Sequence, residues 1–403
     1  IRPHPRWRER DPRPRIRDVR IVMHDEMLLQ RCHQERRNRR HTQNFNRGFQ
    51  SGHEGFSSRP NGKPANSAGI GDGHHTIDNH FMTALARSVQ PELPPKRFDV
   101  VALGEAMVEF NQTRAQEPHY LQGFGGDTSN AIIAAARAGA NTAYLTRIGH
   151  DTWGEALQGL WHRENVDSSA IDVDGDAPTA VYFVTHSPQG HAFSYLRAGS
   201  AASHLSPQSL ADSGAKAYIQ QARWLHVSGI SMAISTSACD AVFAAMQWAR
   251  QAGTRVSLDA NLRLKLWPLA RARACLQQAV SMCDLFLPSL EDVQPLCGQT
   301  DPQAILDWSH QLGASQVVLK RGALGATISE NGLQHEVSGH AVNCVDATGA
   351  GDCFAGNLLA RLAQGDDLAQ GVRYANAAAA LAVQGFGAVA PLPRPDEVMA
   401  LLA

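Results

Sequence analysis

From Phe98 onward, apolar runs of strand length alternate with segments of helical period, and that rhythm leaves few architectures open. Residues 98–104, 142–148, 224–228, 255–258, 284–287 and 316–320 read as buried strands; residues 130–139, 153–165, 238–252, 270–283 and 302–313 read as the helices among them. Parallel strands need long crossovers, and strands that are apolar along their whole length need cover on both faces. The chain is therefore expected to be α/β, with a mostly parallel central sheet between two helical layers. Residues 180–185 and 191–197 flank Pro188-Gln189-Gly190 as a hairpin would, outside the main sheet. Two helices, 352–363 and 368–384, close the body.

Before Phe98 the composition is different. Residues 1–95 are rich in Arg, His, Asn, Gly and Pro and carry runs such as Arg36-Arg37-Asn38-Arg39-Arg40. With little apolar periodicity they cannot bury enough surface to offset chain entropy, so a disordered basic extension is expected. Met82 offers a start codon shortly before the first strand, which raises the expectation that the upstream residues are not translated. A basic arm binding RNA is the competing reading. The formal charge of −1 for all 403 residues then means that the remainder is acidic, which argues against a nucleic-acid surface there. Seven scattered cysteines without a Cys-x-x-Cys pair suit a reducing cytoplasm rather than a disulfide or zinc framework. No apolar run is long enough to span a bilayer; neither nucleic acid nor membrane is expected as a partner.

The chemistry concentrates late in the chain. Asp346-Ala347-Thr348-Gly349-Ala350-Gly351-Asp352 runs into Cys353-Phe354-Ala355, placing small residues and a carboxylate where a loop becomes a helix. Amides at a helix start lack intrahelical partners and sit at the positive end of its dipole, so Gly349, Ala350 and Gly351 can approach phosphoryl oxygens closely. Asp352 beside them would repel an anion, which makes sense if it deprotonates a hydroxyl that attacks phosphorus. A helix cap after a glycine-rich turn is the competing reading of Asp352 taken alone. Gly125-Gly126-Asp127-Thr128-Ser129-Asn130, ahead of the first helix, allows backbone to meet a small ligand, or is a tight turn.

Together these two motifs resemble the paired signatures of the ribokinase-like (PfkB) carbohydrate kinases, over about residues 98–403. The resemblance implies a nine-stranded, largely parallel α/β/α core and a small β lid over the sugar. The lid strands would lie around 104–125 and 178–200. It further implies ATP and Mg²⁺ as cosubstrate and cofactor, Asp352 as catalytic base, and an anion hole made by Gly349, Ala350 and Gly351. Within the family, Gly104-Glu105-Ala106-Met107, Tyr195-Leu196-Arg197-Ala198-Gly199-Ser200-Ala201-Ala202-Ser203, Ser257-Leu258-Asp259-Ala260-Asn261-Leu262-Arg263 and Leu319-Lys320-Arg321-Gly322 are similar to the branch that phosphorylates the sugar acid 2-keto-3-deoxygluconate.

By that resemblance Gly126, Tyr182, Tyr195, Arg197, Arg263 and Asp352 contact substrate, Arg197 offering a guanidinium fork to the carboxylate. Tyr182 and Tyr195 as a cross-strand pair, with Arg197 a solvated edge charge, is the alternative. The nucleotide would meet Asn261, Arg263, Lys320, Gly322, Gly325, Gly349, Gly351 and Asn376, the last equally readable as a helix-surface amide. Where the wider family carries Asn-x-x-Glu, this chain has Ser289-Leu290-Glu291-Asp292, so Asp292, or Glu291 if the helix begins one residue later, would order magnesium-bound water. The lid implies a homodimer or higher oligomer. A kinase of a neutral sugar such as fructose or ribose, and a non-catalytic sugar-acid sensor, are the rival functions.

Overall fold

The alternation of side chains along each central strand sorts the core into two layers. Val101 and Leu103 point to one face of the Phe98–Leu103 strand and Val100 and Ala102 to the other, all essentially inaccessible to solvent. Val317 and Leu319 likewise oppose Val318. A strand buried on both sides must lie inside a sheet covered twice. The computed structural model, which describes residues 96–114, 117–187 and 190–403, has such a sheet. The basic extension expected over residues 1–95, the start at Met82 and the Pro188-Gln189 turn lie outside the described residues.

The central sheet has nine strands. In spatial order Val166–Asp167, Thr142–Leu145, Phe98–Leu103, Ala222–Ser228, Arg255–Asp259, Leu285–Leu287 and Gln316–Lys320 are parallel, and Ala326–Glu330 and Leu333–Val337 add antiparallel at one edge. One apolar layer involves the helices Thr236–Gln251, Leu269–Val280 and Pro302–Gln311; the other involves Asp127–Arg137, Thr152–Arg163, Ala350–Gln364 and Leu368–Ala382. Because the seven strands run one way, their carboxyl ends share one rim, where ligands of such sheets bind. Among the described residues no helix is long and apolar enough to cross a membrane.

Three local features depart from expectation. The strand expected over 142–148 is two: after Leu145 the chain leaves the sheet, and Arg147–Gly149 pairs with Asp172–Asp174, where Arg147 lies 3.4 Å from Asp172 and 3.1 Å from Asp174. The helix expected from Asn130 begins at Asp127, since Gly126, at φ 113°, caps it without a side chain. The antiparallel edge strands were not anticipated; they join through Asn331 and Gly332, both at positive φ, as a hairpin turn with the strands' own twist requires.

A second sheet of four strands stands apart from the first, ordered Tyr120–Gly125, Met107–Gln112, Val181–Ser187, Gly190–Leu196. Across one of its faces run Gly123, Glu109, Tyr182 and Tyr195 in one row and Leu121, Asn111, Val184 and Phe193 in the next. The other face packs inward through Val108 and Phe110, the latter edge-on to Trp153. Elsewhere, the Ala350–Gln364 and Asp127–Arg137 helices touch backbone to backbone at Gly356. A Cβ there would press on the Ala131 carbonyl and come within 2.8 Å of Ala134 Cβ.

Candidate active site

The Ala350–Gln364 helix starts without a side-chain cap, Gly349 holding the N-cap position at φ 76°. Its first amides and the positive end of its dipole are therefore left for another partner. The loop ahead is braced. Val345 and Asp346 N–H donate to the Val383 carbonyl at 2.7 and 3.1 Å. Asp346 accepts from Thr348 N–H and hydroxyl at 2.9 and 2.6 Å and from Gly387 N–H at 3.0 Å. Asp352 stands in the first helical turn, its Oδ2 accepting from Asn130 Nδ2 at 2.8 Å. Burial, and next the Asp127 carboxylate, push its pKa up to about 7 against the pull of Asn130 and Lys320. A carboxylate at that value can take up and release a proton near neutrality.

Strand ends supply the rest of this floor. Lys320 closes Gln316–Lys320 and reaches Asp259 Oδ2 at 2.6 Å, with its Nζ 3.4 Å from where a Cβ on Gly351 would sit. Glycine at 351 thus lets an ammonium and the helix amides lie side by side. Asp127, Thr128, Ser129 and Asn130 are buried polar residues heading an otherwise apolar helix. Asp127 Oδ2 accepts from Asn261 Nδ2 at 3.2 Å, so the amide expected at the nucleotide is held by a floor carboxylate. Asp127 Oδ1 and Asn130 Oδ1 are buried without a hydrogen-bond partner. Gly126 is obligatory: besides its positive φ, a Cβ would come within 2.8 Å of Ala106 Cα.

The second sheet roofs this floor. Tyr182 donates to the buried Glu109 carboxylate, and burial, with that carboxylate next, holds its phenol proton far above the usual range. Tyr182 lies close enough to Asp352 for the two to interact electrostatically. Gly125 makes room for its ring, since a Cβ would be 2.8 Å from Tyr182 Cε1. Tyr195 stacks on Tyr182 at 5.8 Å, and the Arg197 guanidinium lies 5.6 Å from the Tyr195 centroid. Tyr182 and Tyr195 are thus a cross-strand pair, and Arg197 is not a solvated edge charge: it forms an ion pair with Glu105, a carboxylate 1% exposed that also accepts from Ser200 Oγ at 3.2 Å.

Arg263 is half exposed, its Nη1 3.5 Å from Asp292 Oδ1 and 2.9 Å from its own Leu262 carbonyl. Ser289 caps the Leu290–Cys297 helix by accepting from Asp292 N–H, which turns Asp292 inward while Glu291 stays exposed. Burial and the neighbouring Asp259 raise the pKa of Asp292. Among the described residues no three His, Cys, Asp or Glu side chains converge to hold a metal ion. Asp292 and the neighbouring Asp259 are carboxylates of the kind that suits Mg²⁺, which keeps much of its water and draws ligands from phosphates with one or two carboxylates.

The structure thus gathers Gly126, Lys320, Gly349, Ala350, Gly351 and Asp352 on the floor and Tyr182, Tyr195 and Arg197 on the roof. Gly325 and Asn376 meet elsewhere, around the antiparallel edge: Asn376 Nδ2 donates to the Val337 and Ser338 carbonyls at 3.1 and 3.3 Å, and Gly325, at φ 93°, packs on that same backbone. Asn376 is a buried tie rather than a surface amide. Glu105, Glu109, Asp127, Asn130 and Asp259 were not singled out from sequence. For Asp127 and Asn130 the signal was present, four polar residues opening an Ala/Ile-rich helix.

The profile of the pfkB family carbohydrate kinases matches residues 97–395. The chain is 34% identical over 312 residues to a 2-dehydro-3-deoxygluconokinase of Thermoproteus tenax, covering 75% of this chain and 94% of the relative. It is 30% identical over 321 residues to a probable fructokinase-7 of Arabidopsis thaliana, covering 75% and 92%. Among solved structures, a putative ribokinase II from E. coli in complex with ATP and Mg²⁺ superposes with TM-score 0.70 at 26% identity, over 75% of this chain and 98% of that one.

Proposed function

The chain belongs to the pfkB family of carbohydrate kinases, and from that premise we propose that it transfers the terminal phosphoryl group of ATP to the end hydroxyl of 2-keto-3-deoxy-D-gluconate, giving the 6-phosphate. The observation that carries this reading is Asp352, poised near neutrality in the first turn of an uncapped helix and tied to Asn130. Asp352 takes the hydroxyl proton as the oxygen attacks, while the amides of Gly349, Ala350 and Gly351 offset charge on the phosphoryl oxygens. Lys320 and Arg263 add positive potential on the nucleotide side, with Gly322, Gly325, Asn261 and Asn376 shaping the walls behind them. Mg²⁺, when bound, would supply further positive charge at the phosphates, and Asp292 would hold water around it. The second sheet acts as a lid, excluding water and fixing the hydroxyl for in-line attack.

The sugar acid is favoured by the half-exposed guanidinium of Arg263, close enough to Tyr195 to act on its ionisation. A neutral ketose is the second reading, favoured by the Glu105 carboxylate paired with Arg197 and by the fructokinase likeness. A second copy of the chain pairing over the exposed Leu121 is the assembly this reading expects. A coupled assay of ATP consumption across 2-keto-3-deoxygluconate, its galactonate epimer, fructose and ribose tests the proposal. The highest kcat/KM is expected with 2-keto-3-deoxygluconate; a higher value with fructose overturns the substrate, and no ATP consumption with any of them leaves a sensor rather than an enzyme.

A further inference from the structure

We infer that Glu105 is a positioning residue that sets substrate specificity: it neutralises Arg197 from beneath, leaving Arg197 to recognise an uncharged oxygen and Arg263 to recognise an anionic group. The inference rests on the sugar-kinase reading above and deepens it. Glu105 follows the Phe98–Leu103 strand immediately after Gly104, where a Cβ would come within 3.2 Å of Thr128 Cβ and meet the Ser231 hydroxyl. That tight crossing carries the Glu105 side chain into the protein, where it is 1% exposed. A carboxylate so placed persists only if paired, and its partners are Arg197 and the Ser200 hydroxyl.

The pairing changes what Arg197 can offer. A free guanidinium grips a carboxylate with two parallel N–H bonds. Here Nη2 is taken by Glu105, and the guanidinium charge is matched by that carboxylate, with Asp127 also close enough to interact with Arg197. What remains includes Nε, buried and without a hydrogen-bond partner. A neutralised arginine with a leftover donor suits a hydroxyl or keto oxygen. Arg263 is the contrasting case: half exposed, it is held among the described residues by a 3.5 Å contact with Asp292 and by the carbonyl of the preceding Leu262. It is free to turn toward an anion, and it shares Tyr195 as a neighbour with Arg197.

The test is the ratio of kcat/KM for the sugar acid to that for a neutral ketose, in the full chain, with dissociation constants for both sugars measured by calorimetry. Glu105→Gln keeps the shape and hydrogen bonding while removing the charge, so the ratio is expected to rise roughly tenfold or more in favour of the acid, the low end of what an unmatched neighbouring charge does to a buried equilibrium. Glu105→Asp keeps the charge and should keep the ratio even if both rates fall. Should Glu105→Gln fold poorly, Arg263→Gln is expected to lower the ratio and Arg197→Gln to weaken both sugars alike. A Glu105→Gln ratio that stays put, as a merely structural role requires, or an Arg197→Gln loss confined to the acid, overturns the inference. A wild-type chain that turns over neither sugar brings down the kinase reading and this inference with it.

Discussion

The central sheet is covered on both faces by apolar layers, whereas the four-stranded sheet leaves Leu121, Phe193 and Tyr195 exposed on the same face that carries Tyr182. The side chains these two regions aim at the cleft differ accordingly. On the floor, Asp352, Asn130, Lys320 and Asp259 come from four elements and are held by mutual bonds of 2.6–2.8 Å. On the roof, Tyr195 and Arg197 are held by a ring stack across two neighbouring strands and by an ion pair. Groups fixed from several directions suit proton transfer and charge stabilisation, which tolerate little displacement. Groups on a lightly braced sheet suit recognition, which tolerates more. The division predicts that floor variants act on kcat and roof variants on KM.

The sharpest way to break that division is Asp352→Asn. It should lower kcat by about 10³ with KM almost unmoved, the scale of losing a general base; a steady-state assay showing near-normal turnover removes the base from the mechanism. Next is pH. Because the carboxyl of Asp352 is raised to about 7, it holds its proton below that value, so kcat/KM should fall about tenfold per unit as pH drops below 7 and level off above it. Asn130 donates to the charged form, so Asn130→Ala should shift the midpoint to higher pH; a shift to lower pH contradicts the assigned bond.

Smaller effects test the roof and the rim. Tyr195→Ala removes the ring between Tyr182 and Arg197 and should raise KM by about tenfold, with kcat within a factor of about three. A collapse of kcat instead shows that the roof takes part in the chemistry. Asp292→Asn should raise the Mg²⁺ concentration for half-maximal rate by about threefold, as expected for a carboxylate acting through water. No change in a Mg²⁺ titration assigns that task elsewhere.

How much was legible follows the same line. The floor's central motif is contiguous, since 346–352 brings a loop, a helix start and a carboxylate together by covalent order alone, and helix geometry does the rest. The parallel sheet was legible because burial on both faces writes itself as apolar runs. The bonds that tune the site were not. Asn130 and Asp352 are 222 positions apart, Arg197 and Glu105 are 92 apart, and Asn261 and Asp127 are 134 apart. Nothing in spacing reveals which strand ends will face one another across a rim. The break after Leu145 depends on where Asp172 and Asp174 come to lie. The edge hairpin differs, because Asn331-Gly332 is itself a strong hairpin-turn signal in the sequence.

One turn along from Asp352, the Gly356 contact with Ala131 sets the gap between two helices by a methyl group that is not there. Ala131 directly follows Asn130, so the clearance at that crossing is also the gauge for the hydrogen bond that restrains Asp352. Adding the methyl would wedge the helices open beneath the site, while the apolar layers around them could still hold. Such a chain would keep its shape and lose its timing: the bond to Asn130 would stretch, the proton affinity of Asp352 would drift upward, and the rate at neutral pH would decline without any residue of the cleft having been altered.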